Sequence, residues 1–134
     1  MNNELTGKEV DVARIHSALA QGRVIDITTT GRQTGEPRRI EIVFHNIDGK
    51  IYVSGMPRPE PRAWLRNLEV NPRFKFHLKG ETQADLDATA RVITDDKERR
   101  AVLPAIARAW KRDDLEEMFR YSPLIEVTLT DLAA

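Results

Sequence analysis

Apolar and polar positions show a period of two over much of the chain, and this alternation predicts β-strands with one buried face. The segments with this alternation, or with a run of β-branched residues, are 23–30, 38–47, 51–53, 73–79, 82–92 and 123–130. Asp48-Gly49 separates the second segment from the third and is typical of a tight hairpin. The pattern therefore predicts six strands, of which the first three form an antiparallel meander.

Helical spacing of apolar residues fills most of the remaining chain. The predicted helices are 9–19, 62–70, 94–112 and 113–121. Pro104 lies within the third of them, where we expect it to kink or restart the helix. The helices are inserted between strands rather than alternating with them, which favours a small antiparallel barrel over a doubly wound sheet. We predict a mainly β, α+β fold in a single domain, residues 1–134.

Composition narrows the classes of function. The chain has 134 residues and no cysteine, which excludes thiol nucleophiles and cysteine metal sites. Lysine plus arginine and aspartate plus glutamate are 21 each, so there is no global positive field and we expect no nucleic-acid partner. No segment approaches the ~20 apolar residues of a membrane span, and the first residues lack an export signal. We expect no membrane span and a cytoplasmic location.

The three histidines give no sign of a metal site. His16, His45 and His77 lie on different predicted elements, and none belongs to an HxH or HExxH motif. We therefore expect structural or solvent-facing histidines and no bound metal.

A basic turn between the first two strands is the main candidate for chemistry. Arg32, Arg38 and Arg39 cluster around Gly31 and Gly35, whose backbones can adopt positive φ and turn amide groups toward a bound anion. Arginine presents five donors in a planar fork and keeps its charge, which suits bidentate contact with phosphate. The turn is a candidate phosphate site.

Structural alternatives exist for the same residues. The turn could be a solvated hairpin whose arginines pair with Glu36 and Glu41, and Glu41 could pair with Arg39 along the sheet. Trp64 lies on the apolar side of its predicted helix, where core packing explains it, with contact to a bound cofactor as the alternative.

Two motifs carry a resemblance to a known family. The run 28–38, TTTGRQTGEPR, resembles the TTxGR(K)(S/T)GxPR signature of the deazaflavin (F420)-dependent nitroreductase family. The run 61–72, PRAWLRNLEVNP, is similar to the tryptophan-containing helix of that family, which ends in NLxxNP. The resemblance covers about residues 25–76. It implies a six-stranded antiparallel split β-barrel of the FMN-binding type, in the superfamily of flavin and deazaflavin oxidoreductases, and a homodimer.

The resemblance also implies a set of cofactor-binding residues. Those expected at the phosphate and tail are Arg32, Gln33, Thr34, Gly35, Pro37 and Arg38, those near the ring are Ser54, Gly55 and Met56, and Arg62 and Trp64 complete the set. The family usually has lysine where this chain has Gln33, and its Lys- and Gly-rich segment is here the proline-rich 54–59. Both departures remove positive charge, for which Arg58 and Arg62 could compensate.

The implied function is that of an oxidoreductase. The expected cofactor is coenzyme F420, with FMN as the alternative, and the expected partner is a small electron acceptor such as a quinone, an enone or a nitro compound. The cofactor carries the difficult chemistry, so no catalytic residue is assigned. An FMN-dependent oxidoreductase and a noncatalytic split-barrel module that binds flavin or haem stay open as alternatives.

Overall fold

The computed structural model describes residues 7–130, with side chains from residue 12 onward. Its order of helices and strands is the predicted one. The elements are α1 (Gly7–Leu19), β1 (Arg23–Thr30), β2 (Pro37–Ile47), β3 (Lys50–Ser54), α2 (Ala63–Val70), β4 (Arg73–Lys79), β5 (Gln83–Val92), α3 (Asp96–Ala109), α4 (Leu115–Tyr121) and β6 (Leu124–Leu129).

The six strands form a closed antiparallel barrel in the order β1-β2-β3-β6-β5-β4. The predicted meander of the first three strands is confirmed, and Asp48 and Gly49 turn the β2–β3 hairpin with φ of 53° and 86°. Positive φ at both central residues gives the turn a twist that matches the flanking strands. Closure between β1 and β4 is short, from Asp26 opposite His77 to Thr28 opposite Lys75.

Beyond these three pairs β1 and β4 separate toward the β1–β2 turn. A groove of about 650 Å³ opens there between the end of β1, the start of β4 and the middle of β5, and Gly35 and Thr30 are among its lining residues. The barrel is therefore closed by three residue pairs between β1 and β4 and is open beside the basic turn.

Alternate residues of the strands fill the barrel. Ile25, Ile27 and Val53 are completely buried, and Phe44 packs edge-on against Phe76 with the ring centroids 5.3 Å apart. This burial follows the period of two because successive side chains of a strand point to opposite faces.

A second apolar cluster joins α3 and α4 to the outside of the barrel. Leu103, Ile106 and Met118 are completely buried in it. The helix does not restart at Pro104, since α3 continues through that residue. The proline removes one backbone donor, but the buried stripe on both sides of it packs against the barrel and keeps the helix continuous.

The end of α3 also differs from the prediction, which extended the helix to Arg112. The helix ends at Ala109, and Lys111 adopts a left-handed φ of 55° while the Arg112 amide donates to the Ala107 carbonyl at 2.9 Å. This is the geometry of a left-handed C-terminal cap. A lysine rather than a glycine holds the left-handed position, so the sequence carried no stop signal.

Charged side chains cover the outer face around β1 and β4. Lys79 donates to Asp26 at 2.6 Å and to Glu41 at 2.5 Å, and Arg39 donates to Asp26 at 2.9 Å. The hydrogen bonds from Lys79 and Arg39 lower the pKa of Asp26. The expected pairing of Glu41 with Arg39 is therefore wrong, because Arg39 pairs with Asp26 and Lys79 reaches Glu41 from β4, across β1.

His45 and His77 are both buried but differ in their partners. His77 contacts the Thr28 hydroxyl and the Asp85 carboxylate, each at 2.7 Å. His45 packs edge-on against Trp110 with ring centroids 5.0 Å apart, and its Nε2 has no hydrogen-bond partner among the described residues. Burial lowers the pKa of His45 to about 4. The imidazole is therefore neutral in the folded protein at pH 7.

We expect His45 to make stability depend on pH. The folded-state pKa of about 4 lies below the ordinary value of 6.5, so the unfolded chain takes up a proton first as the pH falls. The free energy of unfolding should fall by about 2 kcal/mol between pH 7 and pH 5. Urea unfolding at both pH values measures this, and His45→Phe should remove most of the dependence.

His16→Gln is the matched control, because His16 is exposed on α1. An equal loss of stability from pH 7 to pH 5 in wild type and His45→Phe would contradict the role of His45.

Candidate cofactor site

Backbone hydrogen bonds fold the turn between β1 and β2 into a compact loop. The Gly31 amide donates to the Glu36 carbonyl and the Gly35 amide to the Gly31 carbonyl, each at 2.8 Å. Gly35 has a φ of 75°, a conformation that favours glycine. The predicted positive φ therefore occurs at Gly35 but not at Gly31, and the amides of both glycines are used within the loop.

Two amides of the loop stay available to a ligand. The Arg32 amide donates to the Asn67 side chain at 3.1 Å, and the Glu36 amide donates to the Thr34 hydroxyl at 3.2 Å. Within the described part of the chain, the amides of Gln33 and Thr34 donate to no acceptor. The turn thus presents two amide donors to an anion, fewer than a full ring of converging amides.

Asn67 on α2 connects the two sequence motifs. Its Oδ1 accepts from the Arg32 amide and from Arg32 Nη1, both at 3.1 Å, and its Nδ2 donates to the Thr29 hydroxyl at 3.0 Å. Asn67 is 3% exposed and Thr29 is 2% exposed. A buried amide that satisfies three partners fixes α2 against the end of β1 and holds the Arg32 side chain in place.

The three arginines of the turn have different surroundings. Arg32 contacts Asn67 and, among the described residues, no carboxylate. Arg38 is 52% exposed and touches Glu36 and the Thr34 hydroxyl only at 3.4 Å, the long limit of a hydrogen bond. Arg39 is held by Asp26. Of the alternative pairings, that of Arg38 with Glu36 occurs as this long, exposed contact, and among the described residues no arginine of the turn pairs with Glu41. Arg32 and Arg38 therefore keep donors for a ligand.

A cleft of about 330 Å³ lies between the turn and α2. It is lined by Thr29, Gly31, Arg32, Gln33, Thr34, Pro37, Arg38, Arg39, Ile40, Ala63, Trp64 and Asn67. Six of the predicted site residues are thus brought together here. Trp64 both packs against the barrel core and lines the cleft, so the two readings of this residue are compatible.

The other predicted site residues lie elsewhere. Gly35 faces the neighbouring groove beside β4, and Arg62 lies on the opposite side of α2 from Trp64. The Ser54 hydroxyl donates to the Pro123 carbonyl at 2.6 Å, while a side chain at Gly55 would come within 3.0 Å of the Pro123 ring. Met56 is 54% exposed. None of Ser54, Gly55 and Met56 lines the cleft, so the implied ring end of the site stays a prediction.

The donors of the cleft fit a phosphate better than a metal ion. Two guanidinium cations and two amide N–H groups provide positive charge and hydrogen-bond donors, which bind oxyanions. No cluster of three histidine, cysteine, aspartate or glutamate side chains that could hold a metal occurs in the described residues.

The sequence places Asn67 within the helix motif but does not indicate its role. The available signal was a polar residue on the same helical face as Trp64, where an apolar residue would be expected. Its partners, Thr29 and Arg32, are far away in sequence, and only the packing of α2 on β1 reveals them.

The fold and the cleft define a split-barrel protein with a candidate anion site beside the barrel. The chain superposes with a TM-score of 0.66 on conserved hypothetical protein Rv2991 from Mycobacterium tuberculosis, at 16% identity over 95% of this chain and 82% of that one. A second similar structure is the F420-H2 dependent reductase FDR-A, with a TM-score of 0.58 and 21% identity over 78% of this chain and 93% of that one. The predicted six-stranded antiparallel split barrel with flanking helices is confirmed.

A third similar structure is HutZ, a heme storage protein from Vibrio cholerae, with a TM-score of 0.62 and 17% identity over 90% of this chain and 89% of that one. The same barrel therefore occurs in proteins with different ligands, and these similarities establish the fold alone.

The family is established by sequence. The model of the F420H(2)-dependent quinone reductase family matches residues 4–117, which include both motifs and the whole cleft. The chain belongs to this family, and membership implies an F420-dependent oxidoreductase. Within residues 7–130, none of the helices combines the length and the apolar character that crossing a bilayer requires.

We expect Asn67→Ala to lower the free energy of unfolding by about 1 to 3 kcal/mol, because the substitution leaves the buried Thr29 hydroxyl and the Arg32 amide without their partner. Urea unfolding followed by circular dichroism measures this change.

Asn71→Ala is the matched control in the same motif, since the Asn71 side chain only accepts from the Arg73 amide at an exposed position. Equal destabilisation by both substitutions would mean that the bridge by Asn67 has no special role.

Proposed function

We propose that the chain binds reduced F420 with its phosphate in the cleft between the basic turn and α2, and that it catalyses hydride transfer to a small electrophilic acceptor. The observation that carries this proposal is the pair of arginines, Arg32 and Arg38, that face one cleft without strong carboxylate partners. Both guanidinium groups are exposed and keep donors that an anion can bind, and the match to the family points to F420 as that anion.

The reduced deazaflavin would supply the hydride, and the protein would supply binding and orientation. Arg32 is held by Asn67 and would meet the phosphate in a fixed position, which reduces the entropy lost on binding. Arg38 and the amides of Gln33 and Thr34 would complete the contacts. Trp64 gives the cleft an apolar wall that would exclude water beside the bound cofactor.

The acceptor class is part of the proposal. A quinone, an enone or a nitro compound each offers an electron-poor atom that can accept a hydride when it is held close to the donor. In the described residues no nucleophile, base and orienting group meet in the cleft, and hydride transfer does not need such a group.

A direct test is to mix purified protein with reduced F420 and a panel containing a naphthoquinone, an enone and a nitroimidazole, and to follow the oxidation of the cofactor by absorbance. Turnover with at least one acceptor supports an F420-dependent reductase. Tight binding of F420 without oxidation by any acceptor would instead indicate a noncatalytic binding module. Tighter binding of FMN than of F420 in parallel titrations would overturn the choice of cofactor.

We expect Arg38→Ala to weaken the binding of F420 by about 1 to 3 kcal/mol, because it removes charge-assisted hydrogen bonds to the phosphate. Arg38 is half-exposed, so the fold should be unaffected. Fluorescence titration with F420 measures the dissociation constant.

Arg38→Lys is a second variant that keeps the charge and loses the planar fork, and its affinity should lie between those of wild type and Arg38→Ala. Arg100→Ala on α3 is the control, since Arg100 pairs with Asp96 and Glu116 outside the cleft. Unchanged affinity in Arg38→Ala would remove this arginine from the site.

The homodimer and the cytoplasmic location remain predictions. Analytical ultracentrifugation of the purified protein, with and without F420, tests the oligomeric state.

A further inference from the structure

A second cavity, of about 350 Å³, lies on the other side of α2 from the cleft. Trp64 and Asn67 line the cleft, whereas Arg62, Leu65 and Glu69 line the cavity. Residues of a helix follow one another at about 100°, so these two sets lie on opposite faces of α2. The helix separates two distinct sites.

Arginines dominate the polar lining of this cavity. The four arginines that line it are Arg58, Arg62, Arg99 and Arg120, and the acidic residues that line it are Glu60 and Glu69. Among the described side chains, none of these arginines forms an ion pair with a carboxylate. The lining therefore has a formal excess of two positive charges that neighbouring acids do not directly neutralise.

Other arginines of the protein show the contrast. Arg91 contacts Glu98 and Glu126, Arg100 contacts Asp96, and all of these pairs lie on the surface. The chain has as many acidic as basic residues. Unpaired arginines gathered around one cavity are therefore a local feature and do not follow from the overall charge.

Arg99 lines the cavity and forms no ion pair with a described carboxylate. Its guanidinium donates to four main-chain carbonyls, of Ile93, Met118, Phe119 and Ser122, at 2.6 to 3.2 Å. These bonds tie the start of α3 to the end of α4. They satisfy the donors but leave the positive charge in place, and burial lowers the pKa of Arg99.

Arg58 and Arg62 stand close enough to affect each other. Burial, and then the charge of Arg58, lower the pKa of Arg62. The Arg62 guanidinium donates to the Met56 carbonyl, which fixes its position without neutralising it. An anion between these side chains would relieve the repulsion.

A buried hydroxyl at the same cavity lacks a partner. Ser122 is 2% exposed and lines the cavity, and its Oγ forms no hydrogen bond with any described residue. A buried hydroxyl without a partner costs free energy, and a ligand oxygen would satisfy it. Leu65, Ile93 and Leu124 give the wall an apolar part.

We propose that this cavity is a second binding site, for a small carboxylate with an apolar ring or chain. The carboxylate would lie among Arg58, Arg62 and Arg120 and accept from the Ser122 hydroxyl. The apolar body would lie against Leu65 and Leu124. The site does not depend on F420 binding in the cleft.

The test uses 2-naphthoate as the carboxylate and 2-naphthalenemethanol as its neutral analogue. Isothermal titration of wild-type protein should show saturable binding of naphthoate and at least tenfold weaker binding of the alcohol. Amide chemical shifts should change at residues 58–62, 93–94 and 120–124. Saturable binding that ignores the charge of the ligand, or no binding at all, would overturn the proposal.

Variants locate the bound anion. Arg120→Gln should weaken naphthoate binding about tenfold, as for the loss of one charge-assisted contact, and Ser122→Ala should weaken it less. Arg108→Gln, on the exposed side of α3, is the matched control and should change binding less than about twofold. Equal loss in Arg108→Gln would mean nonspecific attraction, and loss in Arg38→Ala alone would assign the anion to the cleft. Either result overturns the proposal.

Discussion

The hydrogen bonds of one buried amide, Asn67, hold the candidate site together. The side chain joins the Thr29 hydroxyl at the end of β1 to both the amide and the guanidinium of Arg32. The two motifs that identify the family are thus one structural unit, in which the helix motif supports the turn motif. Loss of this amide would leave polar groups buried without partners and would let the turn move away from α2.

The positions of the carboxylates determine which arginine and lysine side chains remain available to a ligand. On the outer face of the barrel, Asp26 and Glu41 neutralise Lys79 and Arg39. Arg32 has an amide for a partner, and Arg38 has only a long contact to Glu36. A protein with no net charge can therefore still present strongly positive local sites, because its acids are placed elsewhere.

Helix α2 separates the cleft from the arginine-lined cavity. One face of the helix, with Trp64, completes the cleft of the basic turn, and the other face, with Leu65, completes the arginine-lined cavity. The cleft and the cavity each combine guanidinium groups with apolar side chains. The proline-rich loop before α2 places Arg58 and Arg62 at the arginine-lined cavity rather than at the cleft that Gln33 lines.

The sequence by itself determined the six strands, their order along the chain, the Asp48-Gly49 hairpin and the turn that carries Arg32 and Arg38, because each depends on local periodicity or turn chemistry. Tertiary structure alone decided the rest. Packing against the barrel keeps α3 continuous through Pro104, and closure of the barrel between β1 and β4 brings Lys79 to Glu41. Asn67 is important because its partners are distant in sequence, and Ser122 is important because its buried hydroxyl has no partner among the described residues. Such relations arise only when the barrel closes and the helices pack on it.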